Sequence, residues 1–154
     1  MNSYYVIDLI HHKNNEKLQN LYQQNLEIFT YSESLFSSLP EKHLKDVSPI
    51  LCSVDNHNDD FINELTLNKK ESVLALHSSL SLSFLSMHLQ KYMEFKLADG
   101  NTGLIRFYDP RIFRSFNNML KPMQKELFWK EIFLVRGWDD INNDYYIEEY
   151  VANV

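Results

Sequence analysis

The chain has 154 residues, 44% hydrophobic and 14% aromatic, with 10 Phe and 9 Tyr but only 3 Gly and 4 Pro. That is enough chain for one domain with its own core, and its aromatic content excludes a disordered polypeptide. The net charge is −6, and residues 137–154 hold Asp139, Asp140, Asp144, Glu148 and Glu149 with no Lys or Arg, so the basic surface that nucleic-acid binding requires is not there.

The pattern in chain order begins with a buried strand over residues 3–9, with Asp8 as an awkward acid near its end. Residues 13–29 predict an amphipathic helix, with Leu18, Leu21, Tyr22, Leu26 and Phe29 on one face. Pro40 opens a short helix or turn. Residues 49–54 predict the next strand, and the run Asp55-Asn56-His57-Asn58-Asp59-Asp60 breaks it. Asp59 or Asp60 can cap a helix reaching Leu67. Residues 72–77 are again strand-like, and Ser81 or Ser83 can cap a helix carrying Leu82, Leu85, Leu89 and Tyr92.

Residues 94–98 alternate polar and apolar, and Asp99-Gly100-Asn101-Thr102 is a turn cluster, which predicts a hairpin over 94–108. Residues 104–108 read as its second strand. Asp109 then reads as an N-cap and Pro110 as the first helical position. Ile112, Phe113, Phe116, Met119 and Leu120 follow at helical spacing. Another helix starts near Pro122 and runs through Trp129. Residues 132–138 and 145–151 predict a last hairpin, while Ile147, Tyr150, Val151 and Val154 also fit a helix. This succession implies a single α/β domain, with a mixed sheet flanked by helices and hairpins in its second half.

Candidate chemistry is sparse. The histidines His11, His12, His43, His57, His77 and His88 show no metal-ligand spacing. His57 sits among acids in what reads as a solvated turn, and His88 on a helix face beside Leu85 and Leu89. The lone Cys52, in an apolar strand context, reads as a small buried hydrophobe and cannot form an internal disulfide, which suits a reducing compartment. No nucleophile elbow, phosphate loop or dinucleotide fingerprint occurs. The expectation is therefore no catalytic residue, no metal and no cofactor. The first residues do not read as a signal peptide, and no apolar run reaches bilayer-spanning length. A cytoplasmic protein without membrane insertion is expected.

Two groups stand out. Arg106 and Arg111 flank Asp109-Pro110; they form either a polar cluster that fixes the strand-to-helix corner, with an Arg pairing an acid such as Asp8, or a recognition patch. The second group is Trp129, Trp138, Tyr145, Tyr146 and Tyr150, bordered by the five C-terminal acids. These rings either anchor a partner, which the acids would favour if it is basic, or close the chain's own core.

The run Arg106-Phe107-Tyr108-Asp109-Pro110-Arg111 belongs to an ordered set of motifs. Before it come Tyr5-Val6-Ile7-Asp8, Ser48-Pro49-Ile50-Leu51, Met87-His88-Leu89-Gln90-Lys91-Tyr92 and Asp99-Gly100. In this order and spacing the chain resembles the type VI secretion system effector chaperones over roughly residues 4–135. Members often have a Gly-Pro turn after the later helices, where Phe128-Trp129-Lys130-Glu131 stands in this chain. The resemblance implies a non-enzymatic adaptor that binds a toxic effector in the producing bacterium. It would help load that effector onto the secretion spike, with the effector and possibly the spike protein as partners. The residues alone leave two rivals open: an immunity protein that blocks a toxin, and a small hydrolase whose His and Asp groups are gathered by folding.

Overall fold

A computed structural model describes residues 2–16, 31–53 and 59–150. Six strands form the main sheet: β1 (Asn2–Asp8), β2 (Tyr31–Ser34), β3 (Pro49–Ser53), β4 (Val73–Ser78), β7 (Ile132–Asp139) and β8 (Asp144–Glu148), in the order β2-β3-β1-β4-β7-β8. A small second sheet pairs β5 (Glu94–Lys96) with β6 (Thr102–Leu104). The described helices are α1 (Asp59–Asn68), α2 (Leu82–Gln90), α3 (Pro110–Met119) and α4 (Pro122–Trp129). Most of the expected helix over 13–29, and the 55–58 break, lie outside the described residues.

The α/β class with flanking helices is as expected, but the sheet is antiparallel in every described pairing rather than mixed. The reason lies in the position of β1. Tyr5 faces Cys52 of β3 on one side and Ala75 of β4 on the other, with both neighbours running opposite to it. β3 and β4 are therefore parallel to each other and joined by the α1 crossover, yet β1 separates them. A strand-helix-strand succession in sequence thus produces no parallel pairing.

Because β1 is central, both of its faces are buried, which accounts for its nearly continuous apolar run. Tyr4 and Val6 join Leu51, Leu74, Leu76 and Val135 in the larger core, beneath Leu85 and Leu89 of α2, Phe113 and Phe116 of α3, and Phe128 and Trp129 of α4. Ile7 faces the other way, with Ile50, Cys52 and Val73, against Phe61, Ile62 and Leu65 of α1. In the larger core Phe107 stacks on Phe116 at 4.8 Å and meets Phe128 edge-on at 5.9 Å. Each such ring pair contributes about 0.5–1.5 kcal/mol beyond burial.

The second strand of the small hairpin is shorter than expected. β6 ends at Leu104, and Arg106 to Asp109 form a turn closed by the Asp109 amide donating to the Arg106 carbonyl at 3.0 Å. Phe107 and Tyr108 are both buried in the same core. A strand would send consecutive side chains to opposite faces, so only a turn can bury both. The hairpin β7–β8 forms as expected, with β8 ending at Glu148; this settles residues 144–148 as strand rather than helix. Residues 151–154 lie outside the described residues.

The corner cap is present. Asp109 has φ −72° and ψ 120°, its Oδ1 accepts from the Arg111 amide at 2.9 Å, and Pro110 takes the first helical position. The same carboxylate grips the Arg111 side chain from Nε at 3.0 Å and Nη2 at 2.7 Å. Asp109→Ala is expected to destabilise the chain by about 0.5–2 kcal/mol through loss of the cap, read from the shift of the urea midpoint. An unchanged midpoint would refute this role.

Candidate functional site

The motif residues converge on one end of the sheet. β1 ends at Asp8, opposite the first residue of β3, Pro49. Here the Asp8 Oδ2 accepts from Arg106 Nη2 at 2.8 Å, and Oδ1 accepts from the Ile10 amide at 3.4 Å, capping a short 3-10 turn over Leu9–His12. His11 Nε2 lies 3.6 Å from the same carboxylate. The Asp8 side chain is 3% exposed and that of Arg106 is 41% exposed. Burial pushes the Asp8 carboxyl above its ordinary range, against the opposing pull of Arg106, His11 and the Ile10 amide. Arg106 remains a cation throughout, and its guanidinium also lies 5.8 Å from the Tyr108 ring centre. Tyr108 is buried, and desolvation pushes its hydroxyl up to about 12.

Other motif residues also hold elements together. The Leu9 amide donates to the Ser48 carbonyl at 3.1 Å, and the Ser34 hydroxyl donates to the Ser48 hydroxyl at 2.8 Å. Gln90 ties α2 to the loop after β2: its Oε1 accepts from the amide (3.1 Å) and hydroxyl of Ser38, and its Nε2 donates to Ser37 at 3.1 Å and Ser86 at 2.9 Å. His88 Nε2 lies 2.8 Å from the Phe128 carbonyl at the end of α4, and burial lowers its pKa. It is a packed rim histidine, as its setting in the sequence indicated.

The fold also creates a serine–histidine contact that the sequence did not signal. His12 Nε2 lies 2.7 Å from Ser72 Oγ, 60 residues away, and Ser72 Oγ donates to the Lys69 carbonyl at 2.6 Å. The serine proton is thus committed to a carbonyl, and the histidine is the donor to Ser72. Both side chains are buried, so the contact braces the start of β4 rather than presenting a nucleophile. Cys52 is fully buried, its thiol 3.6 Å from the Tyr5 carbonyl, and burial raises its pKa. Among the described residues no group of three or more His, Cys, Asp or Glu is placed to hold a metal ion; His57 lies outside them. No described helix is long and apolar enough to cross a membrane.

The five aromatic candidates do not form one patch, because the sheet divides them. Trp129 is buried in the larger core, where its Nε1 donates to Asn117 Oδ1 at 2.8 Å. Tyr150 stacks on it at 6.4 Å. Tyr146, also buried, sends its hydroxyl to the Pro110 carbonyl at 2.5 Å. It crosses above Gly137, where an added Cβ would lie 2.6 Å from that hydroxyl oxygen. Trp138 and Tyr145 occupy the opposite face as a cross-strand pair, edge to face at 5.1 Å. Lys70 Nζ covers Trp138 at 3.8 Å and Arg136 covers Tyr145 at 3.9 Å. Of the five, only Tyr145 is exposed; Tyr150 is half-buried.

An open groove of about 580 Å3 runs between α3 and β8, with Arg111, Arg114, Asn118, Tyr146 and Glu148 among its walls. Arg114 is held there by Asp139 at 3.0 Å and lies 4.7 Å from the Tyr146 ring centre. Asp139 also organises the hairpin turn, accepting from Asn142 Nδ2 at 2.7 Å and from the Ile141 amide at 2.9 Å. The side-chain bond from Asn142 leads the contacts that lower its pKa.

The family described as a domain of unknown function (DUF4123) matches this chain over residues 3–127. Comparison with curated proteins and with solved structures gives no match.

The buried His12–Ser72 contact makes the stability of the chain depend on pH. Burial lowers the His12 pKa from 6.5 to about 4, so the folded chain holds it neutral while the unfolded chain takes up a proton first. Its contribution is complete above about pH 6.5 and is lost as pH falls toward 4, by up to about 3 kcal/mol. Asp8, with a raised pKa, acts in the opposite sense: its contribution is present below the ordinary carboxylate range and lost as pH rises. In His12→Gln, the fall in urea midpoint between pH 6.5 and 4 is expected to be clearly shallower than in wild type. Parallel pH profiles would contradict this.

Proposed function

The chain belongs to the DUF4123 family, and from that premise we propose that it is a non-enzymatic adaptor of type VI secretion. In this reading it binds a toxic effector inside the producing bacterium and helps load it onto the secretion spike. Recognition is non-covalent and needs no nucleotide. The type VI assignment rests on the ordered motifs set out from the sequence.

The observation that carries the reading is what those motif residues do. Asp8, Arg106, Ser48, His88 and Gln90 are occupied in fastening one element to another, and Asp109 in capping α3. Polar residues used in this way make a scaffold rather than a reaction centre. Outside that scaffold the chain exposes large apolar side chains: Phe84 and Met87 on α2, Met123 and Leu127 on α4, Ile141 in the last turn and Ile147 on β8. Methionine and aromatic side chains at a surface suit adaptable protein recognition.

The test is co-expression with a candidate toxin drawn from the genes that neighbour this one. An adaptor is expected to co-purify stoichiometrically with a part of the toxin outside its catalytic domain. Its deletion should abolish secretion of that toxin and leave secretion of others intact. Binding to the toxin's active site with protection from intoxication, and no effect on secretion, would replace the adaptor by an immunity protein.

A further inference from the structure

The sheet has an open edge at β8. This strand is last in the order and, among the described residues, pairs with β7 alone. The Tyr145 amide donates to the Asp144 carboxylate at 2.7 Å, an acceptor outside the β7–β8 ladder. Alternation along an antiparallel strand then turns the Ile147 amide to the same outer side. The chain beyond Glu148 leaves this edge, because Tyr150 crosses to stack on Trp129 at the helical face.

Both sides of this edge offer room for side chains. On the helical side lies the groove of about 580 Å3 between α3 and β8, with Arg114, Ser115, Tyr146 and Glu148 among its walls. On the other side Tyr145 and Ile147 leave apolar surface 37% and 59% exposed. Charge selects the occupant. Arg111 and Arg114 are already paired with Asp109 and Asp139. By contrast, Asp140, Asp144, Glu148 and Glu149 form no ion pair among the described residues.

We propose that β8 is the docking edge for an extended segment of the effector bearing Lys or Arg, which joins the sheet as a further strand. The inference rests on the adaptor reading and assigns its binding surface. The backbone ladder would supply sequence-tolerant affinity. Alternate side chains would lie in the α3–β8 groove and against Tyr145 and Ile147, while basic residues would meet the acidic rim. The aromatic rings contribute as the floor of this edge rather than as a single exposed cluster.

The experiment uses the full chain and the same candidate toxin. Amide hydrogen exchange is compared between the free chain and the complex, and slowing by about tenfold or more is expected across residues 144–149. Ile147→Pro removes an outward N–H on an edge strand, where proline is tolerated, and is expected to weaken binding by about tenfold or more. Asp140→Lys/Glu149→Lys changes two exposed rim positions. It is expected to weaken binding at low salt, and to a smaller degree at high salt, while leaving the thermal midpoint near that of wild type. If residues 144–149 exchange as fast in the complex as in the free chain, or if both variants bind with wild-type affinity, the β8 assignment is overturned and the adaptor reading stands. A wild-type chain that does not bind the toxin at all overturns both.

Discussion

The carboxylate of Asp8 is almost fully enclosed at the end of the central strand, and it has one strong partner, Arg106, 98 residues further along the chain. A buried carboxylate is costly unless it is paired and hydrogen-bonded. The chain is therefore held to the arrangement in which the segment leading into α3 lies against the end of β1. That single tie sets the position of the turn that follows. Phe107 and Tyr108 then enter the core together, and Asp109-Pro110 starts α3 at the angle that brings Phe113 and Phe116 over the sheet. Removing the arginine would leave an unmatched charge indoors. Removing both groups would cost far less, so the pair specifies the arrangement more than it adds net stability.

The rest of the architecture follows from a central strand buried on both faces. α1 covers one face and α2, α3 and α4 cover the other, so the polar residues of the motifs are found where these layers must be joined. Gln90 links α2 to the loop after β2, His88 links α2 to α4, and His12 braces the start of β4 through Ser72. At the far edge, β8 has no second neighbour among the described residues. Edge strands are a hazard that proteins commonly blunt with charge. The acids along this edge discourage self-association, and they also define the sign of a segment that could pair there.

Much of the fold was legible in the sequence because it is written in local chemistry. Asp109 before Pro110 announced a capped helix, and Asp99-Gly100 announced the small hairpin. Alternation and β-branching marked the strands well enough to place β1, β3, β4 and β7 within a few residues. The Asp8–Arg106 pairing was also within reach, because an acid at the end of an apolar strand needs a cation. What failed was non-local. The order of the sheet depends on which strand inserts between β3 and β4, and no local pattern encodes that. The extended reading of Phe107 and Tyr108 failed because two adjacent rings buried in one core require a turn, a fact about the core and not about the segment. The aromatic residues near the end of the chain looked like one surface in sequence; pleating put Trp138 and Tyr145 on one face and Tyr146 on the other. His12 and Ser72 gave no signal, being 60 residues apart.

If the Asp8–Arg106 pair locks the first motif to the last, the two side chains must be energetically coupled, and a double-mutant cycle measures that coupling. Asp8→Asn, Arg106→Met and the double variant are compared with wild type by urea denaturation at pH 7. Arg106→Met is expected to be the most destabilising of the three, the double variant to recover part of the loss, and the coupling energy to be about 1–3 kcal/mol. Additive effects, with a coupling near zero, would show that the two motifs are held together by something else.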